Sequence, residues 1–334
     1  MRVLLTGSAG FIGHHVLEAL LSETKWDIVG LDRLDCSSTL ERLRHVSGLP
    51  SKRFKHIWHD LRAPVNDMLA NLIGPVDIIL HLAASTHVDR SIVDALPFVY
   101  DNVVGTAHML EYARALQGKQ GPLTLFYYQS TDEVFGPAPD GVAYKEWDRF
   151  HASNPYAATK AAAEELALSY HNTYGVPVVV GHLMNCFGPR QHPEKFLPLV
   201  INRVMNGYGV QIHSDRTCTV PGSRVYLHAR TAARAILAII ESVEKGTLTL
   251  GDKINIPGGT EIDNLRFAQI IAEEVGQPLK YELVSYHANR PGHDLHYRLD
   301  DARFKELGIS YGDITGDIRM TVRWYMKNKA WLRA

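Results

Sequence analysis

The sequence predicts an α/β protein with a doubly wound parallel sheet and a smaller C-terminal α/β lobe. In the first half of the chain, short apolar runs alternate with longer stretches of helical periodicity, which is the pattern of parallel strands joined by crossover helices. A glycine-rich turn joins the first apolar run to the first helix. After about residue 183, prolines and glycines divide the chain into short pieces, which indicates a second lobe.

Strands are predicted from the apolar runs, and helices from apolar residues spaced three or four apart. The strands are expected at residues 3–6, 27–31, 55–58, 76–82, 123–129 and 178–182. The helices are expected at 11–21, 97–116, 155–174, 197–206, 231–243 and 265–275. Helix 155–174 has the clearest start, because Asn154 can cap its N–H groups and Pro155 fits its first turn. We expect a large domain of residues 1–183 plus about 223–258, and a smaller lobe of residues 184–222 plus about 259–334.

The composition is that of an ordinary globular protein, with 334 residues, 46% hydrophobic content and a net charge of -1. No stripe of lysine and arginine suggests nucleic acid as a partner, and no apolar run is long enough to span a membrane. The three cysteines are widely spaced and the histidines lack metal-ligand spacing, so we expect reduced thiols and no metal site. The first strand leaves no room for a signal peptide ahead of it. We therefore expect a cytoplasmic protein.

The turn after the first strand has the spacing of a dinucleotide-binding loop. Gly7, Gly10 and Gly13 form a GxxGxxG motif, which permits a tight turn, close approach of a pyrophosphate, and packing of the helix on the strand. Asp32 ends the second strand, about 20 residues further on, where a carboxylate can accept hydrogen bonds from both ribose hydroxyls. This carboxylate would repel a 2′-phosphate, so a Rossmann-type domain that binds NAD rather than NADP is predicted. Arg33 is the opposing feature, since an arginine can accommodate that phosphate.

A second group of reactive side chains follows the strand at 123–129. Thr131, Asp132 and Glu133 lie at its end, and Tyr156 and Lys160 are one turn apart on helix 155–174. The lysine ammonium can favour the phenolate form of the tyrosine, which suits removal of a proton while a hydride leaves. The adjacent acids can take one proton and deliver another, so elimination of water becomes possible.

Nearly the whole chain resembles the extended short-chain dehydrogenase/reductase superfamily and, within it, the nucleotide-sugar 4,6-dehydratases of the dTDP-glucose type. The glycine motif and the tyrosine–lysine pair are typical of the superfamily, whereas the Thr-Asp-Glu run and the segments 193–198 and 290–294 point to the dehydratases. The resemblance implies that NAD is bound by Gly7, Gly10, Phe11, Ile12, Gly13, Asp32, Arg33, Asp60, Leu61, Leu82, Ala83, Ala84, Tyr156 and Lys160.

The reaction implied by the resemblance is an internal redox cycle on a nucleotide hexose, most often dTDP-glucose. Tyr156 removes the C4 hydroxyl proton as hydride passes to NAD, and Thr131 hydrogen-bonds the C4 oxygen. Glu133 then takes the C5 proton and Asp132 protonates the departing C6 hydroxyl, while Lys160 holds the nicotinamide ribose. Hydride return to C6, as C5 is reprotonated, gives the 4-keto-6-deoxy sugar. For the two acids to act differently, their pKa values must be separated.

The resemblance also implies a set of substrate contacts, among which amide, ammonium and guanidinium donors suit phosphate oxygens. These are Thr86, His87, Asn185, Glu194, Lys195, Arg216, Arg224, Asn255 and His293.

The chain departs from the family pattern in two places. Ser85 and Thr86 stand where such dehydratases usually have Glu and Ser. Residues 215–226 replace the usual Arg-Asp-Trp-Leu-Tyr and are about two residues longer, so either Arg216 or Arg224 can supply the arginine for the diphosphate. A 4-epimerase or 5,6-dehydratase of the same superfamily, and a non-catalytic NAD-binding sensor, remain alternatives. Relatives commonly form dimers through the helix after Pro97 and the helix that carries Tyr156, so a homodimer is expected.

Overall fold

The computed structural model describes residues 1–35, 37–118, 123–139, 141–285 and 297–333. Its centre is a seven-stranded sheet in the order β11-β6-β5-β4-β1-β2-β3, and every pair of neighbouring strands is parallel. The strands of this sheet are β1 (Arg2–Thr6), β2 (Asp27–Asp32), β3 (Phe54–Trp58), β4 (Ile78–His81), β5 (Leu125–Thr131), β6 (Val178–Leu183) and β11 (Lys253–Ile256). The predicted fold class is therefore confirmed.

Helices cover both faces of the sheet, because its central strands are buried on both sides and need an apolar layer on each, whereas the edge strand β3 is partly exposed. The helices of the first 175 residues are α1 (Phe11–Glu23), α2 (Leu40–Arg44), α3 (Asp67–Ile73), α4 (Val88–Val93), α5 (Leu96–Phe98), α6 (Gly105–Gln117) and α7 (Pro155–Tyr174). A π-helical segment, Val99–Val104, joins α5 to α6, and a 3₁₀ turn, Asp132–Phe135, follows β5.

Three two-stranded sheets and five further helices complete the described part of the chain. The strands are β7 (Cys186–Phe187) with β10 (Leu227–His228), β8 (Val210–Ser214) with β13 (Tyr281–Ser285), and β9 (Ser223–Val225) with β12 (Glu261–Asp263). The helices are α8 (Phe196–Met205), α9 (Ala229–Glu244), α10 (Asn264–Val275), α11 (Ala302–Glu306) and α12 (Ile314–Lys327), followed by a 3₁₀ turn, Lys329–Leu332.

Separate apolar clusters support these layers. Side chains of α1 and α9 pack on one face of the large sheet, and side chains of α3, α6 and α7 pack on the other. A further cluster joins α8, α10 and α12 in the C-terminal part of the chain. Burial of these faces is the main stabilising contribution to each layer.

All six predicted strands and five of the six predicted helices are present, with ends within two residues of those expected. The helix predicted at 97–116 is divided into α5, the π-helical segment and α6, which together span residues 96–117. The seventh strand of the large sheet, β11, was not predicted. Its sequence contains Lys253 and Asn255, which are buried and paired with other polar groups rather than exposed. In the described ranges, no helix is both long and apolar enough to cross a bilayer.

Candidate active site

The site lies at the carboxyl ends of the parallel strands, where β1 has β2 on one side and β4 on the other. The chain turns in opposite directions from this point, which opens a crevice for a ligand. A cavity of about 460 Å³ occupies the crevice. Its lining includes twelve of the predicted cofactor residues: Gly7, Gly10, Phe11, Ile12, Gly13, Asp32, Arg33, Asp60, Leu61, Leu82, Ala83 and Ala84.

Two glycines of the loop are required by close approach of the backbone. Gly7 has a φ of +71°, and a Cβ atom there would lie 2.9 Å from the backbone nitrogen of Ala83. A Cβ atom on Gly13 would lie 1.9 Å from the carbonyl oxygen of Gly7, which is a severe clash. Helix α1 then begins without a side-chain cap or an acidic residue in its first turn. Its N–H groups and partial positive charge are therefore available to an anion in the cavity.

Asp32 anchors the loop and faces the same cavity. Its Oδ2 accepts from the backbone N–H of Ala9 at 3.0 Å, and its Oδ1 accepts from Leu34 N–H at 2.9 Å and from Ser38 Oγ at 2.7 Å. Each carboxylate oxygen has two lone pairs, so Oδ2 keeps one for a ligand hydroxyl.

Arg33 is held by acids instead of pointing at an open anion site. It donates to Asp35 at 2.8 Å and to Asp101 at 2.6 Å, and Asp60 lies 3.7 Å away. Asp101, which sequence reasoning missed, also accepts from Arg62 and from Ser85 Oγ. Burial raises the pKa of Asp101, but these hydrogen bonds outweigh it and lower the pKa to about 2. The only signal in the sequence was an acid within a mostly apolar helical stretch.

The three residues at the end of β5 meet the helix that carries Tyr156. Thr131 Oγ1 donates to Asp132 Oδ1 at 3.0 Å, and the other carboxyl oxygen of Asp132 is buried and has no hydrogen-bond partner among the residues that the structure describes. Asp132 is 3% exposed, and burial followed by the negative charge of Glu133 raises its pKa to about 7. Arg224 opposes this rise, which brings its guanidinium into the same site. Asp132 can therefore keep a proton near neutral pH.

Tyr156 is buried on the first turn of α7, close enough to Thr131 for that residue to affect its pKa. Burial raises the pKa of Tyr156 far above its ordinary value, and the charges of Glu133 and Asp132 raise it further, whereas the hydroxyl of Thr131 lowers it. The phenol is therefore protonated in the free protein.

Lys160 lies one turn further along α7 but is directed to the strand. Its Nζ donates to the carbonyl oxygen of Gln129 at 2.7 Å and lies 4.3 Å from the centre of the Tyr128 ring. Burial lowers the pKa of Lys160 to about 7, and the negative charge of Glu164 opposes this. The expected stabilisation of a Tyr156 phenolate is thus absent from the free protein.

Asn154 connects the acid turn to helix α7. Its Oδ1 accepts from the backbone N–H of Ala157 at 2.9 Å, as a helix cap does, and its Nδ2 donates to Glu133 Oε2 at 3.2 Å. The cap was predicted from the sequence. The contact with Glu133 was not, because the two residues are far apart in the chain.

The predicted substrate residues are distributed unevenly. Thr86, His87, Glu194 and Lys195 line the large cavity, where Glu194 lies 3.2 Å from His87 and 3.1 Å from Arg90. Asn185 is half-buried between β6 and β7. His293 lies outside the described residues.

The two candidate arginines differ in their surroundings. Arg216 is exposed in the turn between β8 and β9. Arg224 is half-buried on β9, with its guanidinium carbon 5.1 Å from the centre of the Tyr297 ring. Arg224 thus adjoins the acids, as its effect on the pKa of Asp132 also indicates.

Asn255 is fully buried, and its side chain is already engaged within the protein. Its Oδ1 is 3.0 Å from His182 Nδ1, and its Nδ2 donates to the carbonyl oxygens of Tyr144 and Asp300. His182 in turn contacts Glu164 at 2.9 Å. This pairing is typical of a structural residue that joins β6 and β11, and it does not fit the substrate contact expected from the sequence.

Comparisons with known proteins agree on one family. The family model for GDP-mannose 4,6 dehydratases matches residues 4–310. A dTDP-glucose 4,6-dehydratase from Streptomyces niveus is 36% identical over 340 residues, which cover 99% of this chain and 94% of the relative. The dTDP-glucose 4,6-dehydratase from Escherichia coli is 32% identical, with 99% and 95% covered.

The most similar solved structures include nucleotide-sugar enzymes of the same fold. The dTDP-glucose 4,6-dehydratase of Streptomyces venezuelae, crystallised with NAD and TDP, superimposes with a TM-score of 0.87 at 31% identity and covers 99% of this chain and 98% of its own. The UDP-glucose 4-epimerase of Thermus thermophilus, in complex with NAD, has a TM-score of 0.84 at 26% identity, with 98% and 99% covered. The chain therefore belongs to the GDP-mannose 4,6 dehydratase family of nucleotide-sugar enzymes, as its resemblance predicted.

Proposed function

We propose that this protein is an NAD-dependent nucleotide-sugar 4,6-dehydratase that converts dTDP-glucose to the 4-keto-6-deoxy sugar. One observation carries the proposal: a buried Asp132 with a pKa of about 7 adjoins Glu133 and the phenol of Tyr156. Oxidation alone needs no such acid, whereas loss of a hydroxyl group as water needs a proton donor. The relatives named above supply the substrate of the proposal.

The cavity suits NAD. Gly7 and Gly13 let the loop pack closely on β4 and on α1, and the uncapped start of α1, which lines the cavity, provides N–H donors for a pyrophosphate. The carboxylate of Asp32 can accept a hydrogen bond from a ribose hydroxyl. The acids around Arg33 favour NAD over NADP, since they engage the guanidinium and would repel a 2′-phosphate. When bound, NAD supplies a hydride acceptor for C4 and, later in the cycle, a hydride donor for C6.

The first proton transfer is assigned to Tyr156, with Thr131 as its partner at the C4 oxygen. The influence of Thr131, Glu133 and Asp132 on the pKa of Tyr156 supports this pairing, because it places the phenol near the end of β5. The phenol must first release its own proton to solvent before it can act as a base, and Lys160 is the nearby cation on the same helix that would favour the phenolate. Lys160 would have to exchange its bond to the Gln129 carbonyl for one to the cofactor ribose in the bound state.

The elimination is assigned to the two acids. Once C4 is a ketone, the C5 proton is acidic, and Glu133 takes it. Asp132 gives its proton to the C6 hydroxyl, which leaves as water. The second carboxyl oxygen of Asp132 supports this role, because it has no partner within the described part of the chain, and a buried polar atom without a partner is costly unless a ligand completes it.

We assign the sugar diphosphate to Arg224, which lies near Asp132, and not to the exposed Arg216. Asn185 and Lys195 remain proposed contacts, and Asn255 is withdrawn. The lobe of residues 184–222 plus about 259–334 is proposed to cover the nucleotide. Charge complementarity between a guanidinium and a diphosphate supports the Arg224 assignment.

Incubation of the purified protein with dTDP-glucose, without added NADH, tests this function. We expect a product lighter by one water and no net consumption of cofactor. UDP-glucose and GDP-mannose in parallel reactions identify the base and hexose. A 4-epimerase would instead give a product of unchanged mass, which is the outcome that would replace this proposal.

We also propose that two copies associate through α4, α5 and the π-helical segment. Val93 is 88% exposed, Leu96 64% and Tyr100 52%, which makes an apolar surface on these helices. Leu110 and Leu116, by contrast, pack in the protein's own core. Light scattering of the wild type and of Leu96→Glu tests the association.

A further inference from the structure

Asn154 lies at the junction of two elements that the proposed reaction uses. It precedes the helix that carries Tyr156, and its side chain reaches Glu133 at the end of β5. The residue is 6% exposed, so water competes little for its two hydrogen bonds.

The orientation of the Asn154 amide is determined by its two neighbours. The backbone N–H of Ala157 needs an acceptor, and the carboxylate of Glu133 needs a donor. Only Oδ1 toward the helix and Nδ2 toward the acid satisfies both. The cap therefore fixes the direction in which the amide N–H points.

The backbone around Glu133 forms only a short turn, so a hydrogen bond to its side chain helps to fix the position of the carboxylate. It belongs to a 3₁₀ turn, Asp132–Phe135, and its side chain is half-buried. A glutamate side chain has several rotatable bonds, and a fixed donor reduces the number of positions it samples. A donated hydrogen bond also favours the ionised form of a carboxyl group, which is the form that can take a proton.

We propose that Asn154 is a positioning residue for the base, in addition to capping helix α7. Through one side chain it holds the Glu133 carboxylate ionised and at a fixed distance from Tyr156, which is two residues further along the helix. This inference rests on the proposed function, since it assigns to Asn154 an effect on the elimination step and none on the oxidation step.

The test uses variants of Asn154 that keep its role as a helix cap but remove its hydrogen bond to Glu133. Asn154→Ser and Asn154→Asp both keep a side-chain oxygen that can cap α7, and both remove the amide donor. The aspartate also adds a negative charge beside Glu133. Asn66→Ser is the matched control, because Asn66 caps α3 through the same Oδ1 contact, at 2.9 Å to Leu69 N–H.

Each variant, with NAD bound, is mixed with dTDP-glucose in a single turnover. NADH absorbance reports C4 oxidation, and mass spectrometry of quenched samples reports loss of water. For Asn154→Ser we expect oxidation within about 3-fold of wild type and water loss slower by about 10- to 100-fold, as for one charge-assisted hydrogen bond, so NADH accumulates. The acid limb of the pH profile for water loss should move to higher pH, and further in Asn154→Asp. Asn66→Ser should match wild type in both steps.

Two results would overturn the inference. In the first, the Asn154→Ser variant eliminates water from the substrate at the wild-type rate, or its oxidation and elimination rates both fall along with its thermal stability. Asn154 would then be a helix cap and nothing more. If the wild-type protein oxidises C4 but never releases water, the proposed function itself is wrong and the positioning role falls with it.

Discussion

Replacement of Asp132 by asparagine should stabilise the protein while stopping the elimination. Asp132 is buried, and its pKa is raised from 3.8 to about 7, first by burial and then by the charge of Glu133. A raised pKa means that the folded protein holds this proton more tightly than the unfolded chain does. Stability is therefore lost as pH rises from about 4 to about 7, while the unfolded chain ionises and the folded protein does not.

The size of the effect follows from the two pKa values. A difference of one in pKa corresponds to about 1.4 kcal/mol, so a rise from 3.8 to about 7 costs about 4 kcal/mol at pH 8, as an order of magnitude. At pH 5 the same relation gives about 2 kcal/mol. Asparagine does not titrate, so Asp132→Asn should regain this amount. Its Nδ2 replaces an oxygen for which the described residues offer no partner, so the new donor is unsatisfied, which subtracts about 1–3 kcal/mol at every pH.

Guanidinium unfolding of both proteins, with NAD at the same saturating concentration and at pH 5, 6, 7 and 8, measures the difference. The free energy of unfolding of Asp132→Asn relative to wild type should increase by about 2 kcal/mol between pH 5 and pH 7 and then level off. Asp215, which is half-buried in the turn after β8, is the control. Hydrogen bonds, first from Thr217, lower its pKa, so Asp215→Asn should gain nothing as pH rises. A pH-independent difference for Asp132→Asn would refute the reasoning, because it would mean that Asp132 is ionised in the folded protein.

Four further predictions concern catalysis and binding. Glu133→Gln should permit C4 oxidation but not elimination, so NADH absorbance should persist after substrate is added; normal turnover would exclude Glu133 as the base. Tyr156→Phe should lower kcat by about 10²- to 10⁴-fold, and no NADH should form in a single turnover. Arg224→Gln should raise KM for dTDP-glucose, with Arg216→Gln close to wild type; the reverse pattern would move the diphosphate to Arg216. Asp32→Ala should weaken NAD more than NADP in titration calorimetry, and equal losses would argue against ribose recognition by Asp32.

The sequence predicts those features whose causes lie close together in the chain. Helix α7 begins and ends as predicted, because Asn154 and Pro155 define its start and Gly175, in the left-handed conformation, defines its end. The glycine loop and Asp32 are likewise local, and all twelve cofactor residues predicted outside α7 line one cavity.

The features that were missed depend on contacts between distant residues. Strand β11 contains Lys253, which is 3% exposed and lies 2.9 Å from the buried Glu164. Polar residues in a strand usually indicate an exposed face. Because the partner of Lys253 is distant in the sequence, this segment was not predicted as a buried strand. Asn255 was likewise assigned to the substrate because its buried partners are distant in the sequence and could not be foreseen. A polar residue in a conspicuous segment cannot be assigned to ligand or to core until its partners are known, and here the partners are His182 and two carbonyl groups.

The site uses burial to bring dissimilar groups to similar proton affinities. Asp132 and Lys160 ordinarily differ greatly in pKa, at 3.8 and 10.5, yet desolvation raises the first to about 7 and lowers the second to about 7. Both changes have one cause, since a buried charge of either sign is unfavourable. A proton donor with a pKa near neutrality can release its proton to a leaving hydroxyl and regain it from solvent within the same cycle. Burial of Asp132 therefore lowers the free energy of unfolding of the free protein. For this reason, replacement of the carboxyl group should both stabilise the fold and stop the elimination.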